Sequence, residues 1–239
     1  MRIDQQSAFI LHGRAYRETS LLLEAFTRDH GRVGLVARGV RKERSRIPRA
    51  LLQPLTPISL GWTGSSDLAT LTSVEARGSP ISLVGEGLLC GLYLNELVLR
   101  MTQRMDPQPE LFDAYAETVA RLATGESNAW TLRRFERDLL IHLGYGLLLA
   151  TDAHSDAPLD PALDYAYHHE HGPIVWRGSG DGPKLRGATL LALSEDRKPP
   201  DAELPALRRW MRGAIAAHLE GADLRAWRLL GDAALRPRA

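Results

Sequence analysis

The chain has 239 residues, of which 44% are hydrophobic and 25% are charged, so it can build the packed core of one large or two ordinary domains. Its single cysteine, Cys90, excludes an internal disulfide framework and a Cys-based zinc site, and it indicates a reducing compartment. The net charge of +1 conceals an asymmetry, because residues 1–80 carry +5, residues 81–203 carry −8 and residues 204–239 carry +4. The two ends therefore suit an anionic partner and the middle does not.

Neither a leader nor a membrane span is expected. The first ten residues, MRIDQQSAFI, lack the charged-then-apolar pattern of a signal peptide. No apolar run approaches the roughly 18 residues that a bilayer-spanning helix needs. We therefore expect a soluble, cytoplasmic protein.

The first 80 residues predict about five short β-strands without a convincing helix between them. Turn residues at 29–31 favour a hairpin between the second and third strands, and two prolines interrupt the fourth segment. A small closed antiparallel barrel suits such strands best, because closure removes exposed edges. The segments are Ser7–His12, Ser20–Thr27, Arg32–Ala37, Leu51–Thr63 and Leu68–Ala76.

From residue 81 onward the pattern becomes helical, which predicts an α+β chain with domains at 1–80 and 81–239. Between the third and fourth helices, residues 151–186 are rich in Pro, Gly, Asp and His. They predict an irregular insertion that holds one short hairpin, Tyr165–His169 with Pro173–Trp176. The six predicted helices are Leu83–Met105, Glu110–Thr124, Ala129–Leu143 (capped by Asn128), Gly187–Leu193, Pro205–Leu219 and Leu224–Asp232.

The densest charge lies between the third and fourth strands, where six cations stand against one acid, Glu43. Cations so close together repel one another, and a phosphate backbone relieves that repulsion while releasing counterions. The pattern therefore predicts contact with nucleic acid, and a solubilising loop is the alternative. The predicted DNA-binding set is Arg38, Arg41, Lys42, Arg44, Arg46 and Arg49, with help from Arg14 and Arg32.

Four aromatic residues in the barrel segment are candidates for stacking on bases. Phe9 and Phe26 lie in apolar strands and are expected in the core. Tyr16 and Trp62 are expected in turns, where either ring could stack on a base. So few aromatic residues indicate contact with phosphates more than with bases, and hence little sequence preference.

A histidine cluster and an arginine pair are weaker candidates for binding sites. His168, His169 and His171 follow no known metal-ligand spacing, and neighbouring strand residues point to opposite faces, so we expect an exposed loop and no bound metal. Arg133 and Arg134 lie beside an apolar helix stripe, where they could bind the carboxylate of an acidic peptide tail. The alternative for this pair is a local ion pair with Glu136, Glu117 or Asp138. We find no enzyme active-site motif and expect no cofactor.

Several segments, in the same order, resemble the bacterial RecO family of DNA repair proteins. In the β-rich part they are AFILHGR at 8–14, YRETSLLL at 16–23, GRVGLVARGVR at 31–41 and ALLQPL at 50–55. In the helical part they are GLYLNEL at 91–97, LRRFE at 132–136 and LGYG at 143–146. Many members of the family carry a four-cysteine zinc module after the last segment, and residues 147–176 contain no cysteine, so the chain resembles the zinc-less branch.

The resemblance implies an N-terminal OB-fold and a helical C-terminal domain. It implies a non-enzymatic recombination mediator that binds single- and double-stranded DNA, associates with the nucleoid and anneals complementary strands. With its partner RecR, such a protein helps to load the RecA recombinase on strands coated by the single-strand binding protein SSB. It also implies that the helical domain binds the SSB tail, for which Arg133 and Arg134 are the candidates. An RNA-binding OB module and a peptide-binding adaptor without DNA activity remain the alternatives.

Overall fold

The structure, a computed structural model, describes residues 2–64, 68–79, 81–168, 171–178, 184–219 and 223–234, with side chains as far as residue 230. The chain forms two compact units. The first comprises residues 1–126 and 224–239, and the second comprises residues 127–223. The chain therefore leaves the first unit once and comes back to it near its C-terminus.

A five-stranded barrel forms the start of the first unit. Its strands close in the order β1-β2-β3-β5-β4. The predicted α+β class with an N-terminal OB-type barrel is confirmed. One detail was wrong, because β3 and β5 pair in parallel where the prediction had only antiparallel neighbours. The strands are β1 (Arg2–Tyr16), β2 (Ser20–Thr27), β3 (Gly31–Ala37), β4 (Pro57–Thr63) and β5 (Ala69–Ala76).

The predicted fourth strand, Leu51–Thr63, is wrong in its first half. Residues Arg49–Leu52 form a short 3-10 helix, and β4 begins only at Pro57. Leu52 and Leu55 are buried in this connection, 3% and 4% exposed. Apolar residues that pack without strand pairing explain why the sequence looked like one long strand.

In the part of the chain that the structure describes there are six α-helices. Their bounds lie within a few residues of the prediction. Asn128, predicted as the cap of the third helix, is instead its first residue, and Ser127 occupies the cap position. The helices are α1 (Gly85–Met101), α2 (Pro109–Leu122), α3 (Asn128–His142), α4 (Gly187–Ser194), α5 (Leu204–Ala217) and α6 (Arg225–Ala234).

Two contacts attach α1 to the outside of the barrel. The Asn95 side-chain amide donates to the Leu11 carbonyl of β1 at 3.0 Å and accepts from the Tyr115 hydroxyl of α2 at 2.5 Å. A Cβ on Gly91 would lie 2.6 Å from Leu55 Cδ1, so the absence of a side chain there lets α1 approach the barrel. The two hydrogen bonds supply partners for both ends of the buried Asn95 amide.

An aromatic cluster joins the barrel to α2. Phe9 and Phe26 face each other across β1 and β2, and both contact Phe112 and Tyr115 with centroids 5.0 to 5.9 Å apart. The tilted and edge-on geometry is the favoured one for aromatic pairs. The expectation that Phe9 and Phe26 belong to the core is confirmed, since they are 3% and 0% exposed.

Helix α6 packs on α1 within the first unit. The Glu96 carboxylate of α1 accepts the Arg225 and Ala226 backbone amides at 3.0 and 2.8 Å. An acidic side chain at a helix N-terminus satisfies orphan N–H groups and complements the helix dipole. This contact fixes where the last helix joins the unit.

The second unit combines α3, α4 and α5 with a small sheet of order β7-β6-β8. Its strands are β6 (Asp164–His168), β7 (Gly172–Val175) and β8 (Lys184–Arg186). The predicted hairpin corresponds to β6 and β7, although His169 and Glu170 lie outside the described residues. Strand β8 was not predicted, because three residues with one buried side chain, Leu185, are too short a segment for an alternating pattern to be recognised.

Asp152 organises the loop that precedes this sheet. Its Oδ1 accepts from the His154 amide, the Ser155 amide and the Ser155 hydroxyl at 2.8 to 3.0 Å, and its Oδ2 accepts from the Val175 amide at 3.2 Å. Burial, the largest single effect, raises the pKa of Asp152, yet these hydrogen bonds together outweigh it and lower the pKa. A carboxylate thus holds together a loop that contains no cysteine.

None of the helices described here is long and apolar enough to cross a lipid bilayer.

Candidate nucleic-acid interface

The basic loop, residues 38–49, leaves the end of β3 and leads into the 3-10 helix. All six of its predicted DNA-binding side chains are exposed. Within the part of the chain that the structure describes, none of the six forms an ion pair. Their charge is therefore available to an external anion. They are Arg38, Arg41, Lys42, Arg44, Arg46 and Arg49.

Apolar anchors hold the backbone of the basic loop. Val40 is 2% exposed in the barrel core, and Ile47 packs against the same core. Ser45 Oγ donates to the Ile47 carbonyl at 2.9 Å. The loop is thus pinned at several points while its long side chains extend into solvent, which reduces the ordering entropy lost when an anion binds.

The turn between β1 and β2 lies against the basic loop. The Arg41 amide donates to the Thr19 carbonyl at 2.9 Å, and Arg41 Nη1 donates to the Arg17 carbonyl at 3.3 Å. Arg17 is exposed, so the turn adds a cation to the loop. The sequence analysis missed Arg17, and its only local signal was a position in a tight turn after the candidate Tyr16.

A groove of about 930 Å³ opens between this turn, the start of the basic loop and the start of β5. Tyr16, half-buried at the end of β1, contributes to its lining together with Arg17, Arg38 and Lys42. Arg14 is exposed two residues earlier on β1. We call Arg17 and the six loop cations together the basic end of the barrel.

Arg32, which the sequence analysis assigned to DNA, has internal partners. Its Nη1 donates to Glu24 at 2.9 Å, and its Nε and Nη2 donate to the Thr102 carbonyl at 3.2 and 2.7 Å. Arg104 also donates to Glu24, at 2.6 and 3.0 Å. The Arg32 side chain is 14% exposed, so this guanidinium joins β3 to the segment after α1 and is left out of the interface proposed below.

Trp62 is also misplaced by the sequence analysis. It lies in β4 and not in a turn, and it is 2% exposed inside the barrel core. The ring of His30 meets it edge-on, with centroids 5.2 Å apart. A ring enclosed in this way has no face for a base, so Trp62 cannot stack on one in this structure.

Comparison with known proteins agrees with the resemblance noted from the sequence. A family model described as "Recombination protein O N terminal" matches residues 1–80, and one described as "Recombination protein O C terminal" matches residues 84–228. The chain belongs to the RecO family.

Similar proteins carry the same family name over nearly their whole length. The chain is 45% identical over 240 residues to the DNA repair protein RecO of Xanthomonas campestris pv. campestris strain B100, covering 99% of each chain. It is 45% identical over 233 residues to that of Nitrosococcus oceani, covering 97% and 94%. It is 45% identical over 240 residues to that of Stenotrophomonas maltophilia strain K279a, covering 99% and 100%.

The arginines of the second unit of this RecO-family chain are arranged differently from those of the basic end. Arg133 is 4% exposed and forms an ion pair with the buried Glu136. Arg134 binds both carboxylate oxygens of Asp196, with its Nε at 2.7 Å. The local ion pair, which the sequence analysis kept as the alternative for Arg133, is the arrangement in the structure.

Two of the three clustered histidines, His168 and His171, lie among the described residues. His168 and His171 are exposed at the ends of β6 and of the hairpin turn, and His169 lies outside the described residues. Among the residues described, no group of three or more His, Cys, Asp or Glu side chains is arranged to hold a metal ion. Cys90 is 1% exposed in α1, as expected of a small core residue.

Proposed function

We propose that this RecO-family chain acts in DNA repair and recombination by binding single- and double-stranded DNA at the basic end of the barrel. It anneals complementary strands without a covalent step. Cations that neutralise phosphates on two strands lower the repulsion that slows their pairing. Pairing then follows from the bases themselves, so the protein needs no catalytic residue.

One observation supports this proposal above the others: the six loop cations are exposed, anchored by their backbone and without ion pairs among the described residues. Surface arginines usually find a carboxylate when one is near, and Glu43 is the only acid in the loop. A set of unneutralised cations gives binding that is strong at low salt and largely independent of sequence. Strand annealing needs this kind of contact.

The same proposal extends to partners. We expect the protein to act with RecR in loading RecA on SSB-coated strands, and so to associate with the nucleoid. Of the two residues predicted to bind the SSB tail, Arg134 is the more accessible, with 18% of its side chain exposed against 5% for Arg133. An acidic tail would have to replace Asp196 on Arg134. We therefore expect Arg134→Ala to weaken binding of an SSB-tail peptide more than it weakens DNA binding.

The test is annealing of complementary oligonucleotides, bare and coated with SSB. The variant Arg41/Lys42/Arg44→Glu should fail on both substrates. Its single-strand affinity should fall at least tenfold, and the slope of log affinity against log salt should flatten by about 2, at about 0.7 for each of three lost phosphate contacts.

A matched control changes the net charge by the same amount elsewhere. Arg177, Arg197 and Lys198 are exposed cations of the second unit, and their triple change to Glu should leave annealing intact. If both triple variants lose the same affinity, net charge and not the basic end governs binding, and the proposal is wrong. Wild type that prefers RNA at equal salt and fails to anneal DNA would favour an RNA-binding module. Wild type that binds the SSB tail but shows no salt-dependent DNA affinity would favour an adaptor.

A further inference from the structure

The groove beside the basic loop combines an aromatic ring, an apolar wall and cations. Tyr16 and Arg17 come from the turn after β1, and Arg38 and Lys42 come from the loop. Val36 and Thr70, paired across the parallel strands β3 and β5, form one wall together with Leu68. A volume of about 930 Å³ lies within the range of about 300–1,000 Å³ that is common for ligand clefts.

Arg17 is held over the ring of Tyr16. Its guanidinium carbon lies 5.2 Å from the centroid of that ring, within cation–π range. Its φ of 51° is left-handed, a conformation that arginine rarely adopts. The hydrogen bonds from Arg41 to the Arg17 and Thr19 carbonyls support this turn, so the basic loop itself maintains the conformation. The turn thus fixes where the Arg17 guanidinium lies at the edge of the groove.

The chemistry of the lining matches a nucleobase better than a phosphate. A base presents a flat π-face to an aromatic ring or a guanidinium plane, and the Val36 and Leu68 side chains offer it apolar contact. Glu18, which also lines the groove, offsets part of the charge of the groove cations, and Arg38 and Lys42 are available to the phosphates on either side of the base. A duplex keeps its bases stacked internally and cannot supply one.

We propose that the groove binds one unpaired nucleobase, stacked on the layer that the Arg17 guanidinium and the Tyr16 ring form together, so that the basic end prefers single strands to duplex. This inference rests on the proposed function, because it assumes that the loop cations hold the backbone of the same strand. Arg17 then acts as a specificity-determining residue. A strand would be released from the groove once its bases have paired, so the protein would bind the unpaired strands and release the duplex product.

The experiment measures affinity for a single strand, the matching duplex and an abasic strand of equal length. Tyr16→Leu removes the π-face, and Tyr16→Trp keeps it. Leucine should lower single-strand affinity about tenfold, as expected for one stacked base. Duplex affinity should change less than twofold and the salt slope should stay as in wild type. Tryptophan should restore single-strand affinity.

The abasic strand separates stacking from all other effects. Wild type should bind it as weakly as Tyr16→Leu binds the normal strand, and the two losses should not add. Arg17→Lys, which keeps the charge and loses the planar guanidinium, should lower single-strand affinity at an unchanged salt slope. Equal losses of Tyr16→Leu on single strand, duplex and abasic strand would overturn the inference, since the ring would then only support the fold of the turn. The proposed function fails separately, if reversing the loop charges leaves both affinities and the salt slope unchanged.

Discussion

The basic loop and the arginine cluster of α3 contain similar residues in opposite physical states. In the loop, the six cations are exposed, without ion pairs among the described residues. In α3, Arg133 pairs with Glu136, while Arg134 and Arg137 share Asp196. Arginine density along the sequence therefore says little about function by itself. What matters is whether a carboxylate of the same unit has already neutralised the charge.

Burial explains why the two regions cannot exchange roles. The side chains of Arg133 and Glu136 are 5% and 0% exposed, so each compensates the charge that the other buries. A loop cation in water needs no such partner and keeps its full charge for a polyanion. The buried pair stabilises the fold of the second unit, and the loop cations remain available for binding.

The largest expected effect comes from breaking the buried pair. Glu136→Gln leaves the Arg133 guanidinium buried without its counter-charge, which should lower the free energy of unfolding by about 3–5 kcal/mol. Urea unfolding measures this change, and DNA affinity of the folded protein should stay as in wild type. The matched control, Arg133→Met with Glu136→Leu, removes both charges and should recover most of the loss. An unchanged unfolding midpoint for Glu136→Gln would show that the pair does not stabilise the unit.

Asp152 provides a second structural charge, and its effect should depend on pH. Asp152→Asn keeps the shape and loses the charge, which should lower the free energy of unfolding by about 2 kcal/mol at neutral pH. Because the pKa of Asp152 is lowered on folding, its contribution is complete above the unfolded pKa of about 3.9 and is lost as the pH falls through the lower folded value. The difference between wild type and variant at pH 6 should therefore shrink in strong acid. A difference that stays constant down to pH 2 would contradict this assignment.

In the basic loop a single neutralisation should act on binding alone. Arg44→Gln should change the free energy of unfolding by less than about 0.5 kcal/mol, as is usual for an exposed side chain. It should reduce the slope of log affinity against log salt by about 0.7 on single strands. Salt titrations measure the slope, and Arg197→Gln in the second unit is the control. If Arg44→Gln destabilised the protein as much as Glu136→Gln, the contrast between the two regions would disappear.

The smallest expected effect comes from removing a carboxylate partner in the second unit, so that an arginine of α3 is unpaired like those of the basic loop. Asp196→Asn removes from Arg134 a carboxylate whose side chain is 41% exposed, whereas Arg137 keeps its ion pair with Asp138. Because exposed ion pairs contribute little, the loss of stability should stay below about 1 kcal/mol. The freed Arg134 should steepen the salt dependence of DNA binding by less than 0.7, about one phosphate contact. A steeper change would place DNA on the second unit as well.

Local patterns located most of the elements but not every end, since the first strand, predicted as Ser7–His12, spans Arg2–Tyr16. Strand β2 has the predicted bounds, and the helices begin and end within a few residues of the prediction, because alternation and helical periodicity depend on near neighbours in the chain. Phe9, Phe26 and Cys90 were expected in the core and are buried there. The basic loop could be recognised for the same reason, because its six cations lie within twelve residues of the sequence.

The sequence by itself thus determined most of the strands and helices, the barrel class, the family resemblance and the position of the basic loop. Tertiary structure alone decided which cations have partners, because Arg32 meets Glu24 only when β2 and β3 pair, and Thr102 only when the segment after α1 packs against β3. It also placed Trp62 inside the barrel and brought α6 onto α1. Each of these outcomes depends on contacts between residues far apart in the chain, and a pattern of near neighbours contains no record of them.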